Sequence, residues 1–283
     1  MTSVVQSPWT IRALRNGLFL VSAYLILVLC LPLHDLFWGD DALTPQLGFP
    51  SGPINFLIMF LHQPGFESWY PIFFLAVLCG LSVYLVKGYP RLSTFLVWIG
   101  VIVLYNRAYL SMVGGNYLLH SLLFYLIFAD ENATGETVLG SISVTLTNLS
   151  LWACRLQVMI VYIFSSGYKW VSEQWRSGEA VYDILHIKEF SLPWIMESVD
   201  HWHGLAVAMN YFALAYFTLF SILVWSKRFK LPLLVIGMCI HLGMGWAIGI
   251  MDFSLIMITS YAAFLEKEDV NRVKSLFTRR IKA

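Results

Sequence analysis

Lys169 closes an aromatic-rich stretch, Tyr162-Ile163-Phe164-Ser165-Ser166-Gly167-Tyr168-Lys169-Trp170, with Trp175 a few residues beyond. An amine among aromatic rings is partly stripped of water, which favours its neutral form and makes it a usable base. The same placement suits a lysine that snorkels to the headgroups and anchors a helix end. His241 stands in Cys239-Ile240-His241-Leu242-Gly243-Met244-Gly245. It reads either as a functional ring or as a hydrogen-bonding link between helices, which Gly237, Gly243 and Gly245 would let pack closely. Asn106 and Arg107, the break Gly114-Gly115-Asn116, and His120 one turn after Asn116 form a third patch, open as a structural polar knot or a site. Arg155, with Gln157 nearby, is expected to snorkel to the inner headgroups. There is no HExxH, no GxSxG and no phosphate-cradling glycine loop.

The elements that must hold these residues are set by composition. The chain has 283 residues, 58% of them hydrophobic and only 12% charged, with a mean hydropathy of +0.70. Soluble domains carry about 25% charged residues. The deficit excludes disorder, a basic nucleic-acid binder and an ordinary cytosolic enzyme. A net charge of +1 points to no acidic or basic partner. The expected fold is an all-α integral membrane bundle of about eight transmembrane helices, at roughly 20 apolar residues per crossing. Apolar segments run approximately over 16–33, 69–86, 93–111, 116–129, 150–168, 205–225, 231–249 and 252–265. The fourth and eighth are short enough to be re-entrant or kinked. Cys30, Cys79, Cys154 and Cys239 all fall in these segments with no CxxC pair, and read as small apolar fillers rather than disulfides or metal ligands.

Lys and Arg in short loops set orientation. Arg12 and Arg15 precede the first segment, Lys87 and Arg91 follow the second, and Lys227, Arg228 and Lys230 follow the sixth. A last basic cluster runs from Lys267 to Lys282. All fall on one side if both termini are cytoplasmic. Segments 34–68 and 170–204 then face outward, the first with a short interfacial helix at 54–61, the second with Trp170, Trp175, Trp194 and Trp202 at headgroup level. The tail 266–283 alternates charged and apolar residues, as a basic amphipathic helix on the inner leaflet or a frayed tail would. The first apolar run reads as a retained anchor. The whole of 1–283 reads as one membrane domain, with no room for a separate soluble catalytic domain.

The string Arg155-Leu156-Gln157, Val161-Tyr162-Ile163-Phe164, Gly167, Lys169, Trp175, Gly178, Ala180 and Tyr182 resembles the HTTM family, the membrane domain shared by vitamin K-dependent gamma-carboxylases and bacterial homologues. Asn106-Arg107 with Gly114-Gly115-Asn116-Tyr117-Leu118-Leu119 resembles the family's second motif, and His241 with Phe253-Ser254 its C-terminal motif. The resemblance covers roughly residues 10–265. It implies that Lys169 acts as base toward reduced vitamin K or another quinol and that His241 takes part. Together with the buried polar groups and the aromatic stretch around Lys169, it makes Asn106, Arg107, Asn116, His120, Tyr162, Trp170 and Trp175 the expected lining of the cofactor pocket. Gamma-carboxylases carry Lys-Lys where this chain has Lys169-Trp170, and a histidine where it has Gly115. They also hold the propeptide on a large extramembrane domain not found here. Compact bacterial homologues imply a bacterial cytoplasmic membrane.

Two function classes follow. One is a multi-pass membrane enzyme that uses a quinol-type, lipid-soluble cofactor to modify a peptide or protein at the outer face. The other is a non-catalytic membrane maturation or immunity factor for a secreted peptide system. Partners are membrane lipids and a secreted peptide, with no nucleic acid. A transporter would show matching helix breaks in two halves, and the Gly114-Gly115 break has no clear counterpart.

Overall fold

The computed structural model describes residues 4–30, 77–81, 83–85, 88–107, 113–189 and 191–281. No strand occurs among the described residues. Four helices are long and apolar enough to cross a membrane: Pro8–Val28, Val138–Val171, His203–Leu223 and Lys230–Ala247. Pro90–Ile102 and Met251–Phe264 are shorter apolar helices. The protein is therefore all-α with helices of membrane-spanning character. Segment 34–68, with its expected helix at 54–61, lies outside the described residues, and 69–86 is described only at 77–81 and 83–85, both helical.

The chain divides into two compact units, Met1–Ala153 and Cys154–Ala283. The first holds α1 (Pro8–Tyr24, continued as a π-helical turn over Leu25–Cys30), α2 (Pro90–Arg107), α3 (Gly114–Ile127) and the start of α4 (Val138–Val171). Pro8 opens α1, where its missing N–H would have had no partner anyway. Ile11, Leu14 and Leu18 form a fully buried stripe at helical spacing. Leu118, Leu119, Leu122, Leu123 and Leu126 of α3 are also buried. Between apolar helices in a bilayer such side chains hold the packing by van der Waals contact rather than by exclusion of water.

Two helix boundaries differ from expectation. The helix α1 starts at Pro8 rather than near 16, so Arg12 and Arg15 lie within it instead of ahead of it. The helix α4 starts at Val138 rather than near 150 and runs for 34 residues, about 51 Å at 1.5 Å per residue. Its first turns read as polar loop, but their hydroxyls serve the helix itself. Thr137 Oγ1 accepts from the Gly140 amide at 3.0 Å as an N-terminal cap. Thr145, Thr147 and Ser150 donate to carbonyls one turn back at 2.8–2.9 Å.

The second unit holds the rest of α4, then α5 (Glu173–Ser177), α6 (Ala180–Leu185), α7 (Pro193–His201), α8 (His203–Leu223), α9 (Lys230–Ala247), α10 (Met251–Ser260, followed by a 3-10 turn over Tyr261–Phe264) and α11 (Lys267–Ile281). Segment 170–204, expected as an aromatic interfacial stretch, thus folds into three short helices. Gly178, at φ +93°, ends α5 in the left-handed conformation, and the Glu179 amide closes the turn on the Gln174 carbonyl at 3.0 Å. The tail forms the expected helix, α11. Its first turn is pinned to α9, because the nearly buried Lys230 ammonium pairs with Asp269. Arg155, expected to snorkel, instead donates to the Ala263 carbonyl at 2.8 Å.

Candidate functional site

The stripe of α4 that faces α8 is polar at regular intervals. Tyr162, Ser165, Ser166 and Lys169 fall at helical spacing on one face. Tyr162 is fully buried, and the polar side chains become more accessible toward the C-terminal end of the helix. Lys169 Nζ donates to Ser165 Oγ at 2.7 Å. The ammonium sits 4.3 Å from the Phe217 ring centroid and 4.9 Å from that of Trp175. Two ring faces and one hydroxyl thus supply much of what water would otherwise give it.

Deeper in the unit, four side chains from four elements, α4, α8, α9 and the 3-10 turn after α10, meet through hydrogen bonds. Tyr162 Oη lies 3.1 Å from His241 Nε2. Tyr162 also shares a short hydroxyl–hydroxyl contact with Tyr261. Tyr261 Oη lies 3.2 Å from Tyr216 Oη, and Tyr216 donates to the Leu233 carbonyl at 3.2 Å. Rings enclose this chain: Tyr162 stacks on Phe220 with centroids 3.9 Å apart, and Phe253 lies 5.6 Å from the His241 ring. Gly237 makes the arrangement possible. A Cβ there would occupy the space of the Tyr216 and Tyr261 hydroxyls. His241 is fully buried, and its Nδ1 has no hydrogen-bond partner among the described residues. The same holds for Ser254 Oγ on α10. The Ser254 hydroxyl packs against Gly245, one helical turn beyond His241, where a Cβ would come within 2.8 Å of it.

The structure therefore brings Tyr162 and His241 into direct contact, and places Lys169 with Trp175 on the neighbouring stretch of the same helical stripe. Phe217 links the two groups, lying under the Lys169 ammonium and 6.5 Å from the His241 ring. Trp170 does not join the Lys169 contact: it is half exposed, and its Nε1 donates at 2.9 Å to Thr218 Oγ1, the hydroxyl that also bonds Ser166 Oγ. Asn106 and Arg107 lie in the last turn of α2, with side chains outside the described residues. Asn116 and His120 share a face of α3 in the first unit. Asn116 is fully buried, with neither amide atom partnered among the described residues. His120 hydrogen-bonds the Val101 backbone.

Ser165, Tyr216, Phe217 and Tyr261 belong to the site but were not singled out from sequence. Tyrosines in apolar spans are common, and only their convergence marks these. A second cluster also escaped the sequence reading. Arg15 is fully buried, donates to Thr94 Oγ1 at 3.0 Å and to the Ala129 carbonyl at 2.7 Å, and forms a short ion pair with Glu131. Tyr84 Oη donates to the other Glu131 oxygen at 3.3 Å. Its position on the Ile11–Leu14–Leu18 stripe was the available signal, since an arginine there must be buried with a partner. No group of three or more His, Cys, Asp or Glu among the described residues is arranged to hold a metal ion.

Chemically, the second unit offers an amine between aromatic rings and a buried hydroxyl–imidazole chain able to hold or pass a proton. Comparison of the chain with protein-family models, with curated proteins and with solved structures returned no match.

Proposed function

We propose that this is a multi-pass membrane enzyme of the HTTM, carboxylase-like kind. In this reading it has about eight spans, both termini are cytoplasmic and the Lys169 end of α4 faces outward. It uses a quinol-type cofactor to modify a secreted peptide or protein. The observation that carries the reading is the Lys169 ammonium held against Phe217 and Trp175, beside the buried Tyr162–His241 contact.

The residues present fit such a group. Phe217 and Trp175 offer flat apolar faces, Lys169 an amine, and His241 Nδ1 and Ser254 Oγ buried polar atoms that a bound hydroxyl or carbonyl would satisfy. When bound, a quinol supplies an acidic hydroxyl and two reducing equivalents. In its neutral amine form Lys169 Nζ is the base that takes a proton, and Ser165 Oγ, 2.7 Å away, fixes its direction by hydrogen bonding. The Phe217 and Trp175 rings keep water from the amine. Tyr162 orients His241 through its Nε2. Asn106, Arg107 and Asn116 remain candidates in the first unit through the motif resemblance, and His120 through its place on the Asn116 face of α3.

The test is mass spectrometry of small molecules extracted from gently purified protein, comparing wild type with Lys169→Ala and His241→Ala. Each variant is first checked as monodisperse by size exclusion. A quinone or other isoprenoid held by wild type and lost in either variant supports the reading. Bulk phospholipid alone in all three would overturn the cofactor assignment and favour a non-catalytic maturation or immunity factor.

A further inference from the structure

The hydroxyl chain has a direction, and that direction fixes the protonation of His241. A carbonyl oxygen only accepts, so the hydrogen bond from Tyr216 to Leu233 uses the single Tyr216 proton. Tyr216 Oη must then accept from Tyr261, which lies 3.2 Å away. With its proton committed, Tyr261 accepts from Tyr162, and Tyr162 in turn has only a lone pair to offer His241. His241 Nε2 must therefore carry a hydrogen and donate it. In a neutral ring, which nitrogen is protonated follows from the bond the other makes. Here Nδ1 is left with a bare lone pair, in a side chain with no exposed surface and with no partner for that atom among the described residues. Ser254 Oγ, equally buried and unpartnered, lies on the helix packed against α9. Two orphaned buried polar atoms on packed helices are costly unless something satisfies them.

We infer that the Tyr216–Tyr261–Tyr162 chain locks His241 as the Nε2–H tautomer, and so presents Nδ1 as a hydrogen-bond acceptor for the hydroxyl of a lipid-soluble ligand. The tautomer stands on the hydrogen-bond chain alone. The nature of the ligand rests on the quinol reading above and narrows it to the hydroxyl-bearing, reduced form. The three tyrosines are positioning residues, since they act through His241.

Heteronuclear NMR of the full chain in detergent micelles, with ring-labelled histidine, reads the tautomer directly. The His241 signals are assigned by their loss in His241→Gln, at a mildly alkaline pH where imidazoles are neutral. Wild type is expected to show a protonated Nε2 and a bare Nδ1. In Tyr216→Phe, Tyr261 loses its acceptor and turns its proton to Tyr162. Tyr162 then donates to His241 Nε2, and the ring proton moves to Nδ1. A wild-type ring protonated on Nδ1, or the same tautomer in both proteins, would overturn the lock. Naphthohydroquinone, kept reduced, is then added to wild type, with its dimethyl ether as the probe lacking hydroxyl donors. A shift of the Nδ1 resonance with the diol only supports the acceptor role. A shift with neither, or an equal shift with both, overturns that role. The tautomer is read before any ligand is added, so a failed quinol reading and a failed lock are told apart.

Discussion

The Tyr261 hydroxyl occupies the space that a Cβ would need at Gly237. The Tyr216 hydroxyl lies still closer to that position, so one missing side chain on α9 admits the centre of the hydroxyl chain. Gly243, six residues on in the same helix, has nothing within 4 Å of an added Cβ. Gly237→Ala is therefore expected to destabilise the second unit by about 1–3 kcal/mol through overpacking. Gly243→Ala is expected to be neutral or to gain about 0.5–1 kcal/mol from helix propensity. Thermal melts of the two variants in the same detergent check the contrast, and equal effects would refute the packing account.

Removing one partner of the buried Arg15–Glu131 pair leaves a charge without compensation. Arg15→Met or Glu131→Leu alone is expected to cost about 3–5 kcal/mol. The double variant Arg15→Met/Glu131→Leu is expected to recover part of that loss, because neither charge is then buried. A double-mutant cycle on denaturant midpoints measures the coupling. A double variant as unstable as the sum of the singles would mean that the arginine's bonds to Thr94 and Ala129 dominate over the ion pair.

His186 faces an acceptor on each ring nitrogen. Its Nδ1 lies 2.9 Å from the Tyr182 carbonyl and its Nε2 2.9 Å from Asp200 Oδ1. Both acceptors require a donor, so the site favours the doubly protonated ring. The Tyr182 carbonyl and then Asp200 raise the His186 pKa above the usual imidazole value. The Tyr182 hydroxyl and then His186 lower that of Asp200 below the usual carboxylate value. The histidine's contribution is full below its unfolded pKa and is lost as pH rises through its raised folded value. The aspartate's is full above its unfolded pKa and is lost as pH falls through its depressed folded value. The link between α6 and α7 should thus be firmest at mildly acidic pH. Hydrogen exchange across α6 and α7 should rise on moving to alkaline pH, corrected for intrinsic rates. His186→Gln should flatten that dependence, and an unchanged profile in the variant would assign it to another group.

The two tryptophans next to Lys169 have different partners. Trp175 lies against the ammonium, whereas Trp170 donates its indole N–H to Thr218. If Lys169 and its rings hold a quinol, Trp175→Leu should lower quinone retention several-fold, from the loss of about 1 kcal/mol or more of ring contact. Trp170→Leu should leave retention near wild type. Quantifying co-purified quinone in the two variants tests this, and a larger loss in Trp170→Leu would place the quinone contact beside Thr218 rather than against the Lys169 ammonium.

Much of the scaffold could be read from the residues alone. An apolar, charge-poor composition with runs near bilayer length permits only helices that satisfy their own backbone, and the four long apolar helices follow from that. Lys169 and His241 stood out because polar side chains are expensive in such surroundings. The start of α4 was not legible, because Ser and Thr read as loop until their hydroxyls are seen bonding back to the helix. Nor were Tyr216 and Tyr261, since a tyrosine's meaning depends on what its hydroxyl meets.

Local sequence thus determined the long apolar helices and which side chains are costly to bury, because both depend on neighbours a few residues away. Tertiary packing alone decided that Tyr162 meets His241 from 79 residues along the chain and Tyr261 from 99. It likewise paired Arg15 with a carboxylate 116 residues distant. Hydrogen bonds act over about 3 Å, and only the packed fold brings such distant donors and acceptors within that reach.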